Sequence, residues 1–174
     1  MRPCAEALSV LTAPHGVYAI LGNHDDDRDM PAALAGQRFT VLKDARTTVM
    51  VRSQPLELVG IRFWTKQSSE IARLLGSSAA TTLLLAHDPR RVVQASSLTI
   101  PALLAGHTHG GQVVLPIVGA PASRRFPTLA GLADHDGTSL FVSRGVGTIY
   151  VPVRINCPPD VAVVTLRARR SANA

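Results

Sequence analysis

Apolar residues recur along this chain in short continuous runs that stop abruptly at polar, glycine- or proline-flanked segments. Val17 to Leu21 ends on Gly22-Asn23-His24-Asp25, Thr81 to Ala86 on His87-Asp88-Pro89, and Ala102 to Ala105 on Gly106-His107-Thr108-His109-Gly110-Gly111-Gln112. Runs of this length bounded by Gly and Pro predict buried strands. Thr47 to Val51 and Leu56 to Ile61, separated by Arg52-Ser53-Gln54-Pro55, predict a hairpin, and Val113 to Leu115, Ser139 to Ser143 and Val161 to Leu166 are further strand candidates. Helix signals fall between them. A short helical segment is expected over Ala5 to Leu11; Asp29 before Met30-Pro31 caps a helix through Leu34 that Gly36 stops; Ser68 or Ser69 caps another over Glu70 to Leu75, with Gly76 behind it. Strands interleaved with helices predict an α/β fold. In layered folds of this class ligands bind outside the carboxyl ends of strands, so the polar strand ends are where a site is expected.

A length of 174 residues suits one domain, and 46% hydrophobic with 17% charged residues excludes the disordered class. With aromatics at 4%, the interior must be built from Val, Leu, Ile and Ala. The formal charge of +6 gathers late, at Arg124, Arg125, Arg144, Arg154, Arg167, Arg169 and Arg170. Such a balance suits an anionic substrate or a membrane surface, although a solvated basic face is the commoner case. No stretch interleaves basic and aromatic residues, so nucleic acid is not an expected partner. Cys4 and Cys157 form no CxxC and indicate neither a disulfide framework nor a thiolate metal site. No apolar run reaches the roughly 20 residues of a membrane span, and the first residues lack a signal-peptide core. The expected location is cytoplasmic.

The strand-end residues carry the candidate chemistry. His107 and His109, two apart on a glycine-flanked turn, present two imidazoles, the commonest side-chain metal ligands near neutral pH. Asn23 offers a neutral amide oxygen suited to Mn, Mg, Fe or Zn, and His24 beside Asp25 can act as a general acid. Each feature has a plainer reading: His-x-His as surface histidines, Asn-His-Asp as an ordinary turn, and His87 as a satisfied histidine at the edge of the core. The conjunction shifts the balance, because Asn23, His24, His87, His107 and His109 all follow apolar strands while His15 and His135 do not.

Taken in order, Gly22-Asn23-His24-Asp25, Ala86-His87-Asp88-Pro89 and Gly106-His107-Thr108-His109-Gly110-Gly111-Gln112 resemble the last three motifs of calcineurin-like metallophosphoesterases. Leu115-Pro116, Val142-Ser143-Arg144-Gly145-Val146-Gly147-Thr148, Pro152-Val153-Arg154 and Cys157-Pro158-Pro159-Asp160 extend the likeness from about Leu8 to Leu166. The ensemble resembles the bacterial branch of membrane-associated phosphodiesterases and lipid A precursor pyrophosphatases. By that resemblance the chain is the C-terminal portion of a four-layer α/β/β/α sandwich with two mixed sheets, a single domain spanning 1–174. Asn23, His87 and His107 would hold one divalent ion and His109 a second, with His24 as proton donor and Asp25 steering it. The implied reaction is hydrolysis of phosphodiester or pyrophosphate bonds by a metal-activated hydroxide.

The resemblance also implies an Asp-x-His and a Gly-Asp before Gly22, and neither occurs among the residues preceding it. The expectation is therefore an N-terminally truncated domain, with two ions (Mn, Fe, Zn or Mg) in a full-length form and at most one in this chain. Its activity would be impaired. The implied partner is a phosphoester, lipid-linked substrates and a membrane surface being within the branch's range. Arg124, Arg125, Arg144 and Arg154 are candidates for gripping phosphate. Two other functions stand beside this one: a degenerate, non-catalytic metal-binding or structural module of the same fold, and a structural zinc site on His87, His107 and His109, which would need a fourth ligand.

Overall fold

The computed structural model describes residues 2–76 and 79–167, with the side chains of residues 2, 122 and 123 excepted; Arg169 and Arg170 of the basic tail lie outside them. Four α-helices are described, α1 (Arg2–Leu8), α2 (Asp29–Ala35), α3 (Ser68–Ala72) and α4 (Val92–Ser97). The strands are β1 (Val17–Ala19), β2 (Phe39–Val41), β3 (Ala45–Val51), β4 (Gln54–Ile61), β5 (Thr82–Ala86), β6 (Ala102–Ala105), β7 (Gly131–His135) and β8 (Thr138–Val142). They form a two-stranded parallel sheet, β1-β2, and a six-stranded mixed sheet in the order β3-β4-β5-β6-β8-β7. In the larger sheet β4, β5, β6 and β8 run parallel, and β3 and β7 are antiparallel edges.

The side-chain alternation of the central strands builds two cores. One face of the large sheet contributes Val59, Ile61, Leu84, Ala86, Leu103, Leu140 and Val142, which pack with Ile71 of α3 and Val92 and Ala95 of α4. The opposite face contributes Leu58, Leu83 and Val49, which pack against Leu42 and, from the small sheet's side, Tyr18 and Ile20. Beyond the small sheet, Val17, Ala19, Phe39 and Val41 meet Ala5 of α1 and Leu34 of α2. The order of layers is thus helices, large sheet, small sheet, helices, the four-layer α/β/β/α arrangement expected. Only one sheet is mixed, because the described part of the second holds a single parallel pair. The layers approach closely at Gly60, where an added Cβ would lie 2.3 Å from Leu42 Cβ and 2.9 Å from Ile20 Cγ2.

Several boundaries differ from the sequence reading for local reasons. The hairpin turn is only Arg52-Ser53, both at positive φ (48° and 65°), as a two-residue turn between right-twisted strands requires. Helix α2 begins after Arg28, with the Asp26 carboxylate accepting from the amides of Arg28 and Asp29 at 2.7 Å each, so Asp26 rather than Asp29 satisfies the open amides. Helix α3 starts at Ser68, and Glu70 accepts from the Gln67 amide at 3.0 Å. Val113 to Leu115 forms isolated bridges to Ile155 and Gly119 instead of a strand. Val161 to Leu166 pairs with nothing among the described residues, and Val161 and Val163 are 88% and 97% exposed. Strands β2 and β7 and helix α4 were not foreseen.

Candidate metal centre

Parallel pairing places the carboxyl ends of the central strands in one row. Leu85 pairs with Leu104 and Ala105 with Val142, so the residues that follow, His87, Gly106 and Ser143, emerge side by side. The Gly106 amide donates to the His87 carbonyl at 3.1 Å, extending the ladder to the rim. The small sheet delivers Gly22-Asn23 to the same rim after β1 and Leu21. Gly22 is required there, since a Cβ would meet the His87 ring at 3.0 to 3.1 Å.

His107 and His109 stand on a backbone that ordinary residues avoid. Their φ angles are 69° and 51°, and Gly110, Gly111 and Gln112 follow at 62°, 86° and 55°. Such a run of left-handed residues is strained and persists only where surrounding contacts determine it, a pattern that concentrates at functional sites. Gly110 is doubly constrained, because a Cβ would lie 2.7 Å from Cys157 Sγ. Gln112, buried, accepts from the Ile149 amide at 2.7 Å and donates to the carbonyls of Ile149 and Val151.

Three donors converge at the rim. His87 Nε2 lies 3.1 Å from Asn23 Oδ1 and 3.0 Å from His107 Nδ1. Burial, with repulsion from His107 behind it, pushes the His87 imidazole down to about 4 against the attraction of Asp25 and Asp88. Burial likewise holds His107 below the usual histidine range. Both rings are then neutral near pH 7. Among the described residues no three of His, Cys, Asp and Glu gather as a metal cluster; the third donor here is an amide. The set nevertheless fits a divalent ion: ligands about 2.1 Å from one ion and at right angles to each other lie about 3.0 Å apart.

The other predicted residues are placed as follows. His109 Nδ1 sits 3.1 Å from the Gly147 carbonyl, on the same loop as His107 but bonded outside the triad. His24 is exposed, and near enough that its charge disfavours protonation of His107. Asp25 Oδ2 accepts from the Gly22 amide at 2.7 Å, closing the turn that carries Asn23. Asp88 is buried; burial works to raise its pKa, but hydrogen bonds from Arg90 prevail and hold the carboxyl below the usual carboxylate range. His15 is exposed and His135 lies in β7 beside Asp136, both outside the cluster.

Aromatic rings that the sequence reading overlooked flank the two histidines. The Phe63 ring lies 5.4 Å from the His107 ring and 6.1 Å from His87, and Phe126 lies 5.5 Å from His107. Trp64 stands edge-on to Phe63 at 4.9 Å, with Lys66 Nζ 5.7 Å from its ring. Phe63 follows the carboxyl end of β4, so the rule that singled out the histidines covers it too. An open cleft of about 300 Å³ between the sheets, lined by Tyr18, Ile20, Leu85 and Leu104, reaches His87.

The chain is similar to proteins named as metallophosphoesterases or as a phosphodiesterase. It is 30% identical over 173 residues to the phosphodiesterase YaeI of Escherichia coli, covering 93% of this chain and 62% of that protein. It is 30% identical over 177 residues to an uncharacterized metallophosphoesterase of Aquifex aeolicus, covering 95% and 66%. It is 27% identical over 166 residues to the uncharacterized metallophosphoesterase YkoQ of Bacillus subtilis, covering 89% and 62%. The chain therefore spans about 60% of the length of such relatives. No family model matches, and no solved structure matches. Relatives of one kind along nearly the whole chain, and donors converging at the ends of a layered α/β sheet, lead to one conclusion: the chain belongs to the calcineurin-like metallophosphoesterase superfamily.

Proposed function

We propose that this chain contributes to a metal-dependent site that hydrolyses phosphodiester or pyrophosphate bonds. The observation that carries the reading is that His87 Nε2 lies 3.1 Å from Asn23 Oδ1 and 3.0 Å from His107 Nδ1, with both rings neutral near pH 7. These three would hold one divalent ion and His109 would serve a second; Mn, Fe, Zn and Mg all accept such mixed nitrogen and oxygen donors. An ion bound there supplies Lewis acidity toward a phosphoryl oxygen and acidifies water. The protein's own part is to place and protonate. His24, exposed at the rim, holds the proton that the departing alkoxide oxygen takes up. Asp25 fixes the turn through the Gly22 amide and so keeps Asn23 and His24 in register with the large sheet. Phe63 and Phe126 shield the histidines from water, which strengthens every charge interaction inside. The substrate is a phosphoester, lipid-linked phosphoesters included. No helix among the described residues is long and apolar enough to cross a membrane.

The deciding experiment is Mn²⁺-dependent hydrolysis of bis-p-nitrophenyl phosphate by this chain and by any longer form its gene encodes. The expected result is turnover that disappears in His24→Ala and His107→Ala. Absence of both turnover and Mn²⁺ binding in every form would overturn the reading in favour of a non-catalytic module.

A further inference from the structure

Residues 151–160 form an irregular strap tied to the loops of His109 and Gly147, and Arg154 is its hub. Nη1 donates to the carbonyls of His109 at 3.0 Å and Cys157 at 3.4 Å. Nη2 donates to the carbonyls of Arg144 at 2.9 Å, Gly145 at 3.1 Å and Gly147 at 2.5 Å, and Nε reaches Gly147 at 3.2 Å. A guanidinium has five N–H donors in a fixed fork, and here every nitrogen is engaged by main-chain carbonyls. Arg154 is thereby removed from the candidates for gripping phosphate and acquires a different task.

That task follows from the Gly147 carbonyl, which also faces His109 Nδ1 at 3.1 Å. A carbonyl only accepts, so Nδ1 carries the proton and the lone pair of the neutral ring is left on Nε2. Arg154 holds both ends of this arrangement: the carbonyl that reads the ring, and the backbone carbonyl of His109 itself, whose φ is 51°. The Cys157 thiol adds donation to the carbonyls of His109 and Gly110 at 3.3 Å each. Asp160 braces the other loop, accepting from Ser143 Oγ at 2.7 Å and from the Arg144 amide at 3.1 Å.

We propose that Arg154 is a positioning residue that, through the Gly147 carbonyl, fixes His109 in the tautomer whose Nε2 is free to bind a ligand. Its importance for catalysis rests on the reading of His109 as a metal ligand. The tautomer itself does not, and can be measured without any metal. Partners of this kind orient ligating histidines and set which ring nitrogen is available.

The test is the ¹⁵N spectrum of the His109 ring in the metal-free chain, with His109→Gln to assign the signals. The wild type is expected to show Nδ1 protonated and Nε2 bare; a wild-type ring protonated on Nε2 would overturn the proposal without any variant being needed. In Arg154→Met, His109 is expected to become a mixture with about a third or more of the Nε2-protonated form, and Arg154→Lys to restore it only in part, since a point charge cannot replace the fork. An unchanged tautomer in a folded Arg154→Met that merely melts earlier would reduce Arg154 to a structural role and sink the proposal. Failure of the phosphoesterase reading would appear separately, as absent hydrolysis with the tautomer result intact.

Discussion

His87 Nε2 and His107 Nδ1 face each other across 3.0 Å although the residues are 20 apart in sequence. The pairing of Leu85 with Leu104 brings the two strand ends level. Removing either ring should therefore disable one shared centre. For His87→Ala and His107→Ala we expect Mn²⁺ affinity by calorimetry to fall at least about tenfold, with His15→Ala unchanged.

The pH dependence of stability in the metal-free chain has a defined window. His87 is held at about 4 when folded against the ordinary histidine value of about 6.5, so between those values the unfolded state binds a proton that the folded state refuses. The sign is loss of stability on acidification: no effect above pH 6.5, a decline of up to about 3 kcal/mol through the interval, and none further from this group below about 4. Urea titrations at successive pH values, compared with His87→Gln, isolate the contribution. A wild type as steady as the variant across that interval would contradict it.

Two glycines separate site geometry from fold stability. Gly22→Ala puts a methyl about 3.0 Å from the His87 ring and should weaken Mn²⁺ binding while leaving the melting temperature within a few degrees. Gly60→Ala drives a methyl into Leu42 between the sheets, where overpacking costs about 1–3 kcal/mol, and should lower the melting temperature first.

Asp44 anchors the loop that presents Phe63 and Trp64. Its carboxylate accepts from Thr65 Oγ1 at 2.6 Å, the Arg62 amide at 3.0 Å and Arg62 Nε, and Thr65 is 6% exposed. Asp44→Ala strands these donors at about 2–3 kcal/mol, or roughly 4–12 °C in a thermal melt. Trp64 is the only tryptophan, so its emission reports the loop directly, and the variant's spectrum should move further than its circular dichroism.

What was readable in the sequence divides along a physical line. Strands β5 and β6, central in the large sheet, wrote themselves as unbroken apolar runs, and the polar residues just beyond them are the ones that meet. Strand β7 was hidden because, as an edge, it buries little: Leu132 is 75% exposed. Strand β2 is three residues long, too short for a period. Val161 to Leu166 misled in the opposite sense, since an apolar β-rich run becomes a strand only where a neighbour offers hydrogen bonds. Arg154 was misread because composition records a charge but not what it touches; the twelve non-glycine residues at positive φ among the described residues, His107 and His109 included, were equally invisible.

The arrangement of layers has a mechanical side. Asn23 is carried by the small sheet, whose β1 has a single described partner, while His87 and His107 belong to the six-stranded sheet. Any ion gripped by all three would be a rivet driven through the seam between two slabs that otherwise adhere through Leu42, Tyr18, Ile20 and their apolar neighbours. Loading such an ion should slow amide exchange in β1 and β2 more than in β5 or β6, making the thinner slab share the cooperativity of the thicker one.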